Sequence, residues 1–265
     1  MKRIGDVMRD IPIRPPSNPG GIVISSRETV KCPICKDAGY LRGDFPVGHP
    51  MFGRIVPCQC KLQEIDEREA EDLRKLSNLD KFSHSTFEEF DRDIPGVDEA
   101  YEVALHFAQE PGHRWLFLYG PVGTGKTHLA VAIARYAMQR QRMSVYFEEV
   151  PDLLDQLRST FDPASGSGYD DRFETIRNAQ LLVLDDLGTE NATPWAREKL
   201  YQIINHRYIE QLPTVITSNV DQRKVDDRII SRILDHRLTE YVVIDAEDYR
   251  RPGMTRTVRR GSRRT

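Results

Sequence analysis

Long apolar runs are absent from this 265-residue chain, and no stretch approaches the roughly 18–20 apolar residues that a membrane span requires. The opening MKRIGDVMRDIPIRPP holds no apolar block ahead of a cleavage site, so no secretory signal is expected. Cysteine is scarce, with four residues, all between Cys32 and Cys60. So few, in one cluster, argue against a secreted disulfide scaffold and for a metal clip in a reducing, cytoplasmic setting. Neither charge sign dominates: the formal net charge is -3 and the pI is near 6.2. Without a global basic field, any nucleic-acid contact must come from local patches. A charged fraction of 30% and a mean hydropathy of -0.54 fit a soluble protein.

What is present divides into segments. Residues 1–30 are rich in Pro, Gly and Ser and read as a flexible lead-in. Residues 31–61 hold the cysteines. Residues 62–78 are mostly charged helix formers with sparse apolar positions, which reads as a solvated connecting helix. From 79 to 252 the pattern is α/β. Apolar runs at 115–119 (WLFLY), 144–148 (SVYFE), 181–185 (LLVLD), 214–218 (TVITS) and 241–244 (YVVI) read as strands, and amphipathic stretches separate the first four. Strands apolar on both faces, alternating with such helices, predict a parallel sheet covered on both sides. Residues 163–170 (PASGSGYD) read as a loop. Residues 253–265 form a basic tail; from Arg250 onward the chain carries seven arginines and no acid in sixteen residues.

The stretch Gly120-Pro121-Val122-Gly123-Thr124-Gly125-Lys126-Thr127 fits G-x-x-x-x-G-K-[ST] and is followed by His128. Its glycines let successive backbone N–H groups face phosphate oxygens, and the helix starting near Lys126 adds its positive dipole end. Lys126 is expected to reach the β- and γ-phosphates, and Thr127 to place its hydroxyl on magnesium. The anion is then a nucleoside triphosphate. TSNVDQRK does not match the guanine-reading pattern, and Phe82, Phe87 and Phe90 are candidates to line a purine pocket, so ATP is favoured.

LLVLDDLG places Asp185 at the carboxyl end of a buried strand, where it is the natural magnesium ligand. Asp186 is the candidate to polarise the attacking water, with Glu190 a weaker rival. TVITSNV ends a strand with Ser218 and Asn219, whose amide suits the γ-phosphate or the water. VDDRIISRIL carries Arg228 and Arg232 at i, i+4 on one face, either as surface pairs of nearby aspartates or as an arginine finger reaching a neighbouring subunit. Arg250 follows the last strand as a candidate phosphate clamp.

These pieces, in this order, resemble the AAA+ ATPases, and within them the DnaC/DnaI-type helicase loaders and their IstB-like relatives. The resemblance spans about residues 79–252 and rests on GPVGTGKTHLA, LLVLDDLGTE, PTVITSN, DDRIISRIL and DAEDYR. It implies a P-loop NTPase fold of the AAA+ type, with a five-stranded parallel sheet flanked by helices and a reduced lid. It also implies that Asp185 and Asp186 form the acidic pair, Asn219 the first sensor, Arg232 the arginine finger and Arg250 the second sensor. The implied activity is ATP hydrolysis by a homo-oligomer on single-stranded DNA that engages a DnaB-type replicative helicase. The alternative is an IstB-like helper of a transposase. Arg158, Tyr169, Arg172 and Phe173 combine cations with aromatics and are candidate DNA contacts.

Cys32-x-x-Cys35 and Cys58-x-Cys60, 22 residues apart, suggest a four-thiolate structural zinc site. A segment so poor in apolar residues needs a clip to fold. Free buried thiols and disulfides are the other readings, and His49 is a spare ligand candidate. By the loader resemblance, such a module docks the partner.

Overall fold

Apart from its sulfurs, the described residues of the cysteine-bearing segment bury little more than Leu41 and Val56. These two side chains face each other where β1 (Tyr40–Arg42) pairs antiparallel with β2 (Ile55–Pro57). The computed structural model describes residues 30–42, 46–50, 52–159, 168–189 and 193–249, and the chain divides into two compact units, 1–69 and 70–265. Helix α1 (Gln59–Leu76) begins in the first unit and ends in the second. It starts earlier than residue 62 because the Cys58 carbonyl accepts from the backbone N–H groups of Lys61 and Leu62, which puts Cys60 in the first turn. Leu73 is buried in the core of the second unit, so the end of α1 is not a solvated connector.

In the second unit, α2 (Asp98–Gln109), β3 (Trp115–Tyr119), α3 (Lys126–Arg140), β4 (Val145–Glu149), α4 (Val150–Ser159), α5 (Gly168–Arg177), β5 (Leu181–Asp185), α6 (Pro194–Ile209), β6 (Thr214–Ser218), α7 (Asp227–Ile233) and β7 (Thr239–Val243) follow in order. The five strands form one parallel sheet in the order β4-β5-β6-β3-β7. After β3 the chain jumps to the far edge, walks back through β5 and β6, then passes β3 to the opposite edge. The order therefore reverses beside β3, and such a switch opens a crevice at the carboxyl ends of the strands.

Alternation along the strands splits the core into two layers. Leu116, Leu118, Phe147, Val183 and Val215 face α2 and α3; Trp115, Phe117, Tyr146, Leu184 and Ile216 face the α4–α7 side. Two strands are offset from the apolar runs. β4 starts one residue later than expected, after Ser144, whose N–H is held by the Gln180 side chain. β7 starts at Thr239, set opposite Trp115, and as an edge strand it leaves Tyr241 and Val243 exposed rather than apolar on both faces. Helix α5 begins at Gly168, inside the stretch expected to be a loop; residues 160–167 lie outside the described residues. No helix among the described residues is long and apolar enough to cross a membrane.

Arg207, fully buried, fixes the entry into β6. It donates to Thr214 Oγ1 (2.8 Å) and to the carbonyls of Arg177 (3.0 Å), Ala179 (2.9 Å) and Pro213. Its partners are carbonyls and a hydroxyl rather than a carboxylate, so the guanidinium joins α6, the α5–β5 turn and the start of β6. Arg207→Ala leaves these acceptors buried and unpaired, at about 1–3 kcal/mol each. Urea denaturation is expected to report a loss of at least about 3 kcal/mol; a change under about 1 kcal/mol would show that water replaces the guanidinium.

Candidate active site

The phosphate loop connects β3 to α3. Gly125, at φ 88°, caps α3 in the left-handed region, and a Cβ there would stand 2.8 Å from Phe90 Cε2. Gly123, at φ 82°, lies so close to the segment after β7 that a Cβ would meet the Asp248 carboxylate, while the Gly123 carbonyl accepts from the Tyr249 N–H at 2.8 Å. Only glycine meets both the conformational and the spatial demand at these positions. Lys126 is buried and donates to the Pro121 carbonyl at 2.6 Å, and the Thr124 hydroxyl donates to the same oxygen at 3.0 Å.

Behind the loop sits the acidic pair. Thr127 Oγ1 lies 3.1 and 2.9 Å from the two Asp185 carboxylate oxygens. Thr217 Oγ1 donates to Asp185 Oδ1 at 2.6 Å and accepts from the Asp186 N–H at 2.9 Å. Asp186 adopts φ 56°, in the left-handed region, and its carboxylate accepts from Asn219 Nδ2 at 3.3 Å. Burial pushes the Asp185 carboxyl up to about 6, against the pull of the Thr217 and Thr127 hydroxyls, and Asp186 and Glu149 add repulsion. Glu149 stands opposite Asp185 across β4 and β5, and its carboxyl is likewise raised, first by burial and then by Asp152 and Asp186. Carboxylates crowded beside a hydroxyl and an anion cradle match the donor set of a hard divalent cation.

A cavity of about 270 Å³ extends from this cradle. Val122 to His128, Asp186 and Asn219 line its phosphate end; Phe82, Ser85, Phe90 and Ile94 line the other, and Glu247 and Tyr249 also belong to the lining. Its size and mixed lining suit a nucleotide. His128 Nε2 donates to the Thr86 carbonyl at 2.7 Å, and Arg135 to the Leu79 carbonyl at 3.1 Å, so α3 holds the 79–90 segment against the loop.

Several expected residues lie elsewhere. Phe87 does not line the cavity; it is buried edge-on to Tyr101 and Tyr136. Ser218 turns away and donates to the Leu187 carbonyl. Arg228 pairs with Asp226 and Glu198. Arg232 binds Asn205, the Arg228 carbonyl and the Tyr201 hydroxyl, and among the described residues no aspartate pairs with it. Phe173 is core and Arg172 donates to Gln156, which leaves Arg158, stacked on Trp195, as the half-exposed cation of the proposed DNA set. Glu190, Arg250 and the Tyr169 side chain lie outside the described residues. Thr217, Glu247 and Tyr249 were not anticipated. For Thr217 a signal existed, because it stands two residues before Asn219 and so shares its strand face.

In the first unit the four cysteine sulfurs all lie within 4.8 Å of one another. Cys32 and Cys58 Sγ are 3.8 Å apart, Cys35 and Cys60 Sγ 3.3 Å. Four sulfurs at zinc's bond length of about 2.3 Å would be about 3.8 Å apart at tetrahedral corners. Backbone N–H groups, first that of Cys35, pull the Cys32 thiol down to about 7, while the Cys35 sulfur and burial push Cys60 up to about 12. One thiolate is thus readily formed and further ones are opposed, a conflict that a bound dication removes. His49 is not part of this sulfur cluster.

A glycine cradle at the switch point of a five-stranded parallel sheet, backed by Thr127 and Asp185, defines a P-loop NTPase of the AAA+ type. The family described as IstB-like ATP binding protein matches residues 59–255, and the chain belongs to it. An insertion-sequence (IS5376) ATP-binding protein of Geobacillus stearothermophilus is 30% identical over 199 residues, 71% of this chain and 76% of that one. The replicative helicase loader DnaI of Bacillus subtilis is 26% identical over 168 residues, covering 61% of this chain but about half, 53%, of the loader. A crystal structure of the DnaC helicase loader superposes with a TM-score of 0.56 at 26% identity, over 62% of this chain and 98% of that one. The chain is accordingly a P-loop ATPase.

The Asp185 carboxyl has a pH signature. Its value rises from the ordinary 3.8 to about 6 on folding, so between these values the folded state holds a proton that the unfolded state has lost. Its contribution to stability is greatest at low pH and is lost as pH rises through about 6. Nucleotide-free Asp185→Asn is therefore expected to melt above the wild type at pH 7.5, with the gap closing towards pH 5. A gap independent of pH would show that ionisation of Asp185 is not the cause.

Proposed function

We propose that the protein is an ATP-driven loader that assembles as a homo-oligomer on single-stranded DNA and engages a DnaB-type replicative helicase. The carrying observation is that the helix bearing Arg228 and Arg232 lies away from its own cavity, whose described lining contains no arginine. Arg232, which donates to Asn205, the Arg228 carbonyl and Tyr201 within its own chain, would exchange these partners for a second subunit's γ-phosphate. Lys126 binds the β- and γ-phosphates, and Asn219 and Asp186 orient the attacking water. Thr127 and Asp185 would hold magnesium, which neutralises charge on the phosphates when bound. Arg250 is proposed as the second sensor.

Lys126→Ala is expected to abolish tight ATP binding, whereas Asp186→Asn keeps binding and slows hydrolysis. Arg232→Ala should remove the rise in specific ATPase activity with protein concentration; unchanged hydrolysis by that variant under assembling conditions would refute a finger acting between subunits.

The 30%-identical insertion-sequence relative favours a second reading, a transposase helper acting on duplex DNA. The four-cysteine unit supports the loader, as an added docking piece held by zinc through Cys32, Cys35, Cys58 and Cys60. Retention of a replicative helicase by the full chain, and its loss without residues 1–78, is expected; retention by neither favours the transposase reading. Metal analysis should find one zinc per chain, and Cys58→Ser should lose it. Metal-free full-length protein with all four cysteines intact would exclude the zinc site.

A further inference from the structure

The end of β6 and the residue just after it supply two side chains with one role. Thr217 and Asn219, two residues apart, face the acidic pair from the same side, and Ser218 between them faces away to the Leu187 carbonyl. Thr217 is fully buried, so its hydroxyl is shielded from bulk solvent. That single oxygen does two things: it donates to Asp185 Oδ1 at 2.6 Å and accepts from the Asp186 N–H at 2.9 Å. The second bond matters because Asp186 sits at φ 56°, a conformation that non-glycine residues avoid and that persists only where the surroundings impose it. The chain just beyond is tied to the same strand, since the Leu187 N–H donates to the Thr217 carbonyl at 2.9 Å. Thr127 shares the Asp185 carboxylate from the phosphate-loop side. Thr217 therefore sets where the Asp185 carboxylate points and holds the left-handed turn that aims Asp186 at Asn219.

We propose that Thr217 is a positioning residue for ATP hydrolysis, whose one hydroxyl locks the metal-facing carboxylate of Asp185 and the turn at Asp186 into a fixed relation. The inference rests on the reading of Asp185 and Asp186 given above. Thr217 is buried and is not among the residues that line the cavity, so its effect is felt in the chemical step rather than in nucleotide affinity.

Thr217→Val keeps the shape of the side chain and deletes both hydrogen bonds. Losses on removing such a supporting group run about 10- to 100-fold. The full-length Val variant is expected to lose about tenfold or more in kcat, to keep its affinity for a fluorescent non-hydrolysable ATP analogue, and to need several-fold more magnesium for half-maximal rate. Thr217→Ser, which retains the hydroxyl, should recover most of the rate and the normal magnesium requirement. A Val variant with wild-type kcat and magnesium dependence overturns the proposal, as does a Ser variant as slow as Val, which would show that packing of the methyl is what matters. Should the Val protein melt below the assay temperature, Thr217→Ala is judged by the same criteria. Asp186→Asn assayed alongside separates the two levels: a slow Asp186→Asn with a normal Val variant rejects Thr217 alone, whereas normal hydrolysis by both rejects the site reading and this inference with it.

Discussion

A carboxylate buried at the end of a parallel strand is costly unless something shares its charge, and Asp185 is placed in that position with two hydroxyls for company. Satisfying it requires the amino end of α3, the carboxyl end of β5 and the last turns of β6 to meet at one point. The parallel pairing of β3 with β6 and of β5 with β6 brings them there. Thr127 comes from the first turn of α3 and Thr217 from β6, where a slip of one residue in register would turn the hydroxyl to the other face of the sheet.

Around this point the cavity is built by segments outside the sheet. Residues 79–90 are held by His128 and Arg135 from α3, and the segment after β7 is laid over the phosphate loop at Gly123. The chain thus supplies cradle, base-side wall and acidic pair. It keeps its α7 arginines elsewhere, stacked on Tyr201. The cysteine unit follows a different logic, because its described apolar core is small and four sulfurs converge beside it.

Much of this was readable before any coordinates. The spacing of Gly120 to Thr127 and the apolar runs before it follow from local rules: a glycine loop between strand and helix, and strand periodicity interrupted by helical periodicity. β3, β5 and β6 fall where their apolar runs stand. Where a single residue type serves either core or site, the sequence leaves both readings open. Phe87, Arg172 and Phe173 have the chemistry of ligand contacts, yet packing against Tyr101, Gln156 and the α4–α7 layer claims them. The start of α1 moved because a carbonyl at Cys58 caps it, and Tyr241 emerged because β7 is an edge.

By itself the sequence determined the phosphate loop, the acidic pair and the cysteine half-sites, because each is a run of neighbours whose spacing along the chain is its geometry. Tertiary structure alone decided that Thr217 clasps both aspartates, that Glu247 and Tyr249 line the cavity, and that Arg207 anchors β6. Those relations join residues far apart in the chain: periodicity can put Thr217 on the face of Asn219, but which distant groups a side chain meets is set only by how the layers pack.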